Sequence, residues 1–327
     1  MKPLTYSLFA AALACGLASA VTTTAYTTPV GYETLPVSPG FNYLGLRLQQ
    51  PVVDAGLIAA TSSLSITLSD SPTLVGTTMY ILEVKNANGV TQEFLGSSLS
   101  GAVLTTPAGL SALVTVGDSY KLRTAPTLAS TFGISNSAGL DTGFFGPGGD
   151  IIYLANPSSP GGFDQYYYDN GYSSWANSSS GPVDGNAISW NYADAVVISA
   201  TGAGLTALTV SGEVKTANTG YSLAANSFGY LSSISPVGAT LSSAFDAAVP
   251  TLDQGFFGPG GDTIYVPNPI APGGFDQYYY DSGYSSWANS SGPVTASSIS
   301  LPSGVVIYNT GAAADIVNTP PSFYSSL

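Results

Sequence analysis

Carboxylates, aromatic rings and hydroxyls are the groups with which this chain could do chemistry, and they come in two matched sets. Residues 141–179 recur as residues 253–291, and only seven of the 39 aligned positions differ. The first copy carries Asp150, Asp164 and Asp169 beside Asn156 and two Gly-rich stretches; the second carries Asp262, Asp276 and Asp281 beside Asn268. Such hard oxygens are what calcium takes, so a structural calcium in each copy is one reading and solvated turn aspartates are the other. The spacing matches neither an EF-hand loop nor tandem nonapeptide repeats. The rings are Tyr166, Tyr168, Tyr172 and Trp175, matched by Tyr278, Tyr280, Tyr284 and Trp287. As exposed flat surfaces they would suit a neutral sugar, with Asp164, Gln165 and Asn177 supplying hydrogen bonds. Packed inward they would instead tie each hairpin to its core or to a neighbouring molecule, which is the commoner use of aromatics.

Catalytic constellations fare worse. The chain has no histidine, which removes Ser-His-Asp and Cys-His systems and histidine-ligated metals. Asp141-Thr142-Gly143 has the form of an aspartic-protease triplet, but the second copy reads Asp253-Gln254-Gly255, where Gln stands in place of the small hydroxyl residue. Glycoside hydrolysis needs carboxyl groups about 5–10 Å apart. Asp164 and Asp169, five residues apart on one strand, would be separated by roughly 16 Å. Within one copy, then, no pair suffices.

Composition narrows the partners. The net charge is −13, and no Lys or Arg follows Lys215. A chain this acidic repels phosphate backbones and anionic membranes, which argues against nucleic acid. Lys2, the apolar run from Leu4 to Leu17 and Ala18-Ser19-Ala20 describe a secretory signal peptide over residues 1–20, cleaved after Ala20. The single cysteine, Cys15, lies inside that segment, so the exported chain is expected to fold without a disulfide. Secretion or a cell-surface place follows, with the periplasm as another destination. No later segment is long and apolar enough for a membrane-spanning helix. An outer-membrane barrel ranks lower, because regular ten-residue amphipathic strands are not evident and the last residue is Leu327.

The elements that must position the two sets are strands. Leu44, Leu46 and Leu48 alternate with Gly45 and Arg47, and Leu64, Ile66 and Leu68 alternate with Ser65 and Thr67. Residues 79–85 and 90–95 flank Asn86-Ala87-Asn88-Gly89, a hairpin turn. Residues 54–63 would suit a short helix. Inside the repeat, residues 151–154, 165–168 and 172–175 read as strands, the last two joined at Asp169-Asn170-Gly171, with Tyr166 and Tyr168 on one face and Tyr167 on the other. Fainter likenesses flank the repeats: residues 195–198 with 304–307, and residues 41–48 with 227–233. The expected organisation is an all-β fold of two duplicated halves, each a β-sandwich or partly open barrel, spanning residues 21–210 and 211–327.

Thr28-Pro29-Val30-Gly31-Tyr32, the Tyr-Tyr-Tyr-Asp-x-Gly-Tyr blocks at 166–172 and 278–284, and the terminal Val305-Val306-Ile307 carry a family likeness. On these residues the chain resembles a family of exported, functionally uncharacterised bacterial β-rich proteins, over most of its mature length. That resemblance implies export and implies no catalytic residues. The functional expectation is a secreted or surface structural or binding protein without a catalytic centre, in which paired aromatic hairpins make contacts or self-assemble. Its alternative is a carbohydrate-binding module, with calcium as a candidate aid.

Overall fold

A computed structural model of the chain describes residues 29–326 apart from 73, 75–77, 97, 106–113, 157, 158, 160, 203, 204, 269 and 272. The expected signal peptide lies outside the described residues. The fold is all-β, 48% strand and 8% helix, with four sheets among the described residues and no closed barrel. No described helix is long and apolar enough to cross a membrane.

Two of the sheets are built by the repeats. Ile151–Ala155, Phe163–Asp169 and Ser174–Asn177 form one antiparallel ribbon; Thr263–Pro267, Phe275–Asp281 and Ser286–Asn289 form its twin. The flanking likenesses prove to be the strands that complete each sheet. Ala195–Ala200 pairs with Ile151–Ala155 and then with Gly40–Gly45 at the inner edge, while Gly304–Asn309 pairs with Thr263–Pro267 and then with Ser227–Ser232. Both six-stranded sheets therefore have the same strand order.

The inner edges meet as the two sides of an isologous dimer interface would, within one chain. The Ser232 N–H donates to the Ala193 carbonyl at 2.8 Å, and Asp194 forms an antiparallel bridge with Leu231. The edge ring Tyr43 lies 5.0 Å from Phe275 of the opposite repeat, and its counterpart Tyr230 lies 4.5 Å from Phe163. Close approach requires a glycine here: a Cβ on Gly45 would meet the Ser303 carbonyl oxygen at 2.2 Å.

Each sheet buries its Tyr/Trp face under a short helix. Leu128 and Phe132 of Leu128–Phe132 join Ile152, Leu154, Tyr166, Tyr168 and Trp175 in one core; Leu241 and Phe245 of Leu241–Phe245 join Ile264, Val266, Tyr278 and Trp287 in another. Five residues cannot sustain a helix by propensity, and both are held by capping boxes, Thr127 with Ser130 and Thr240 with Ser243.

A third core fills the nine-stranded sheet, around Ile58, Ile66, Leu82, Phe94, Tyr120 and Leu122. The expected hairpin is there, with Tyr80–Lys85 paired to Thr91–Gly96. The short helix expected for residues 54–63 is not: residues 54–61 lie in the strand Val52–Thr61, which pairs with Ser119–Thr124 and Ser65–Leu68. Alternating burial against two partner strands outweighs weak helix propensity. The Leu44–Leu48 alternation also divides, because Gly40–Gly45 ends in one sheet and Leu48–Gln49 begins in the three-stranded one. Residue 210 falls within Leu205–Val214, a strand of that three-stranded sheet, and Thr219–Leu223 and Ala314–Asn318 join the nine-stranded sheet beside Thr91–Gly96.

Candidate functional site

Alternation along Phe163–Asp169 sends Tyr166 and Tyr168 into the core, where Trp175 sits across the hairpin with its ring 5.6 Å from that of Tyr168. Trp175 is 1% exposed and Trp287 4%, and Tyr166, Tyr168 and Tyr278 are buried as well. Tyr280 is partly buried against the second core. Of the eight rings expected to form the contact surface, only Tyr172 and Tyr284 are exposed. The other six are core residues, because a sheet face under a helix offers more apolar burial than any surface could. Their indole N–H groups anchor the helix ends: Trp175 donates to the Gly133 carbonyl at 3.0 Å and Trp287 to an Asp246 carboxylate oxygen at 2.8 Å.

On the opposite face of the ribbon, Tyr167 is buried beneath a loop. Residues 141–150 cross over it, with the Gly143 N–H donating to the Tyr168 carbonyl and the Asn170 N–H to the Gly143 carbonyl, both at 2.9 Å. A Cβ on Gly143 would lie 2.1 Å from the Gly146 carbonyl oxygen and 3.0 Å from the Tyr167 ring, so only glycine lets the loop lie flat. Residues 253–262 cross Tyr279 in the same way.

The loop is held by one carboxylate. Asp169, fully buried, accepts from the backbone N–H groups of Phe145 (3.0 Å), Gly146 (2.8 Å), Gly171 (2.7 Å) and Tyr172 (3.1 Å). Asp281 does the same for Phe257, Gly258, Gly283 and Tyr284 at 2.8–3.1 Å. Burial by itself pushes these carboxyls up, yet the four N–H donors outweigh it and hold both below the usual carboxylate range.

What the carboxylate holds is an aromatic knob. Phe145 has φ of 52° and Phe257 of 53°, a left-handed backbone that costs a bulky residue about 1–2 kcal/mol. The conformation turns both phenylalanines outward: Phe144 and Phe256 are 73% exposed, and Phe145 and Phe257 60%. Phe145 packs edge-to-face on Phe144 at 4.7 Å and on Tyr172 at 5.1 Å, and Phe257 repeats this with Phe256 and Tyr284 at the same distances. Contact pairs of this geometry add about 0.5–1.5 kcal/mol each beyond burial. Two rigid, solvent-facing Phe-Phe-Tyr triads result, one per copy. Tyr172 and Tyr284 were legible in the sequence; the Gly-Phe-Phe-Gly signal was present too, as paired large apolar residues in a glycine loop with no alternation to bury them.

The calcium expectation does not assemble. Asp169 and Asp281 spend their oxygens on backbone donors. Asp150 accepts from the Asp141 N–H and from the Thr201 N–H and hydroxyl, and Asp262 accepts likewise from Asp253 and Thr310. Asp164 and Asp276 each take the side-chain amide of Asn156 or Asn268 at 3.0 Å. Among the described residues no three acidic side chains converge as a metal site. Asp141 and Asp253 are placed separately too, each with its carboxylate against a glycine that follows a strand of its own sheet, Gly202 and Gly311. In the comparisons with known proteins, no family model, curated protein or solved structure matches this chain.

Proposed function

We propose that the chain is an exported or cell-surface structural and binding protein that makes two-point contact through its Phe-Phe-Tyr knobs and carries no catalytic centre. The single observation behind this reading is that backbone strain, a buried carboxylate and glycine packing all combine, twice, to hold large apolar rings in water. Strained positions of this kind persist where the surrounding structure enforces them, and they concentrate at working surfaces. Apolar rings on a weakly charged surface gain most by pairing with another apolar surface, and a second copy of the chain offers the same knob. A knob-to-knob contact would be isologous, and two per chain would link molecules into an open series.

Sedimentation velocity of the chain from residue 21 onward, over a wide concentration range, tests the proposal. The expected result is concentration-dependent assembly that disappears in the double variant Phe144→Ser/Phe256→Ser, whose backbone angles at residues 145 and 257 are left alone. A monomer at every concentration, or assembly indifferent to the double substitution, contradicts it. The carbohydrate alternative loses the buried tryptophans Trp175 and Trp287 as stacking surfaces.

A further inference from the structure

Beyond the loop that covers Tyr167, the face of each repeat sheet turned away from its helix carries a row of rings. Register places Tyr153 beside Val197 and Val197 beside Tyr43; the second sheet repeats this with Tyr265, Val306 and Tyr230. The Tyr153 ring lies 6.3 Å from Phe41 and 5.9 Å from Phe163, and Phe163 lies 4.5 Å from Tyr230 across the junction. The twin row runs from Phe228 to Tyr265 (6.1 Å), on to Phe275 (5.9 Å) and then to Tyr43 (5.0 Å). Each row thus ends on the inner-edge tyrosine of the other sheet, and the two make one belt on one side of the molecule. Its rings are within reach of solvent: Phe41 is 52% exposed and Phe228 43%, and the other six are half-buried.

The polar groups between the rings are reachable and unused. Gln165 and Gln277 stand opposite Tyr153 and Tyr265 in register, the first half-buried and the second exposed. Among the described residues, neither glutamine side chain has a hydrogen-bond partner, and neither do the hydroxyls of Tyr43, Tyr153, Tyr230 and Tyr265. Burial holds the phenols of Tyr43 and Tyr230 above their ordinary value, with Tyr43 adding to the effect at Tyr230, so both keep a proton to donate. The cavity of about 410 Å³ behind this face, against Leu154 and Val196, is different. There the Ser189, Trp190 and Asn191 side chains have polar atoms sealed inside packed protein. The Asn191 amide donates to Asp194 at 3.2 Å, and desolvation, reinforced by Glu93, raises that carboxyl to about 7.

What the belt can take follows from its charge and its hydrogen bonding. No Lys or Arg lies on a strand of the two six-stranded sheets, and alternation puts only Asp169 and Asp281 on this face, both already spent under their loops. A charged partner finds no counter-charge there. An apolar protein surface would bury the free amides and phenols unpaired, which costs more than it gains. A neutral sugar chain answers both demands, since its C–H faces lie on rings while each hydroxyl donates and accepts. Four rings in each row favour a chain of several units over a single one.

We propose that the belt is a binding face for a neutral oligosaccharide or polysaccharide, with Phe41, Tyr153 and Phe163 and their twins as stacking surfaces and Gln165 and Gln277 as polar contacts. It is separate from the knobs, whose rings stack on none of its members among the described residues.

Affinity electrophoresis through gels that each hold one polysaccharide tests the assignment, using the chain from residue 21 onward with Phe144→Ser/Phe256→Ser so that knob contacts do not intervene. The probes are a β-glucan, a mannan, an α-glucan and an N-acetylhexosamine polymer, with alginate and chitosan as charged controls. The expected result is retardation by at least one neutral polymer and by neither control. Calorimetry with oligosaccharides of that polymer should show binding weakened roughly tenfold in Tyr153→Ala/Tyr265→Ala and in Phe41→Ser/Phe228→Ser, and roughly fivefold in Gln165→Leu/Gln277→Leu. The two phenylalanines are the more exposed, so their variant decides the matter if the tyrosine variant does not fold. No retardation by any neutral polymer, stronger retardation by a charged control, or binding indifferent to the phenylalanine or glutamine variant overturns the assignment. So does self-association of the test chain that Phe41→Ser/Phe228→Ser disperses, which would make the belt an interface between copies.

Discussion

The two repeat sheets share strand order, buried rings, capped helices and knobs, yet they differ where they face one another. The groove on one side of their junction is lined by Asn268, Gly273 and Gly274 with Phe41 and Tyr43; the groove on the other by Asn156, Gly161 and Gly162 with Phe228 and Tyr230. These are matched positions on the two copies. At the next matched position, however, one groove has Ser303 and the other Asp194, and only the latter adjoins Glu93, Asn191 and the cavity at Trp190. The difference teaches that duplication supplied a frame and a pair of identical contacts, while the chain threaded around the frame lines one groove with the Glu33–Arg47 ion pair and the other with Glu93, Asn191 and Asp194. Two-point contact needs sameness.

The largest way to break the comparison is to remove a core ring from one copy. Trp175→Ala and Trp287→Ala should each cost about 3–5 kcal/mol of stability, and nearly the same amount, because each ring fills an equivalent place under an equivalent helix. Because the two rings lie in separate cores, the double variant should lose about the sum. Chemical denaturation of the three variants measures this. A cost at one site several-fold that at the other would show that the copies are not energetically equivalent.

A smaller effect sharpens the contrast between the knobs and the junction. Asp169 and Asp281 have carboxyls held low, so their contribution is present above the ordinary carboxylate value of about 4 and is lost as pH falls through the folded value. Asp194 is raised, to about 7, so its contribution runs the other way: full below about 4 and lost as pH rises through about 7. Melting temperature followed from pH 3 to pH 8 should therefore climb less steeply at the acid end in Asp169→Asn/Asp281→Asn and fall less between pH 4 and pH 7 in Asp194→Asn. Profiles parallel to the unmodified chain in both variants would count against the hydrogen-bond roles assigned to these carboxylates.

Much of the frame could be read from residue order, because its determinants are local. Alternation put Tyr166 and Tyr168 opposite Tyr167, Asn-rich and Gly-rich turns marked the hairpins, and the faint likenesses around residues 41 and 227 marked the inner edges. Which face of the ribbon meets solvent was not legible, since both faces are covered, one by a helix and the other by the 141–150 loop. The fate of the aspartates was hidden for the same reason. Asp169 is satisfied by the N–H groups of Phe145 and Gly146, more than twenty residues earlier, and nothing near it in sequence distinguishes that role from calcium ligation. The cavity at Trp190 combines residues of the nine-stranded sheet with Leu154 of the repeat and Trp190 and Val196 beyond it, so no local pattern announces it.

The central claim is that two equivalent knobs act together, and single-knob variants test it most directly. Sedimentation velocity of Phe144→Ser and of Phe256→Ser, each alone, should show assembly that stops at a dimer in both, because one remaining isologous contact joins two molecules and no more, while the unmodified chain grows beyond it. Either single variant growing as far as the unmodified chain would contradict the account.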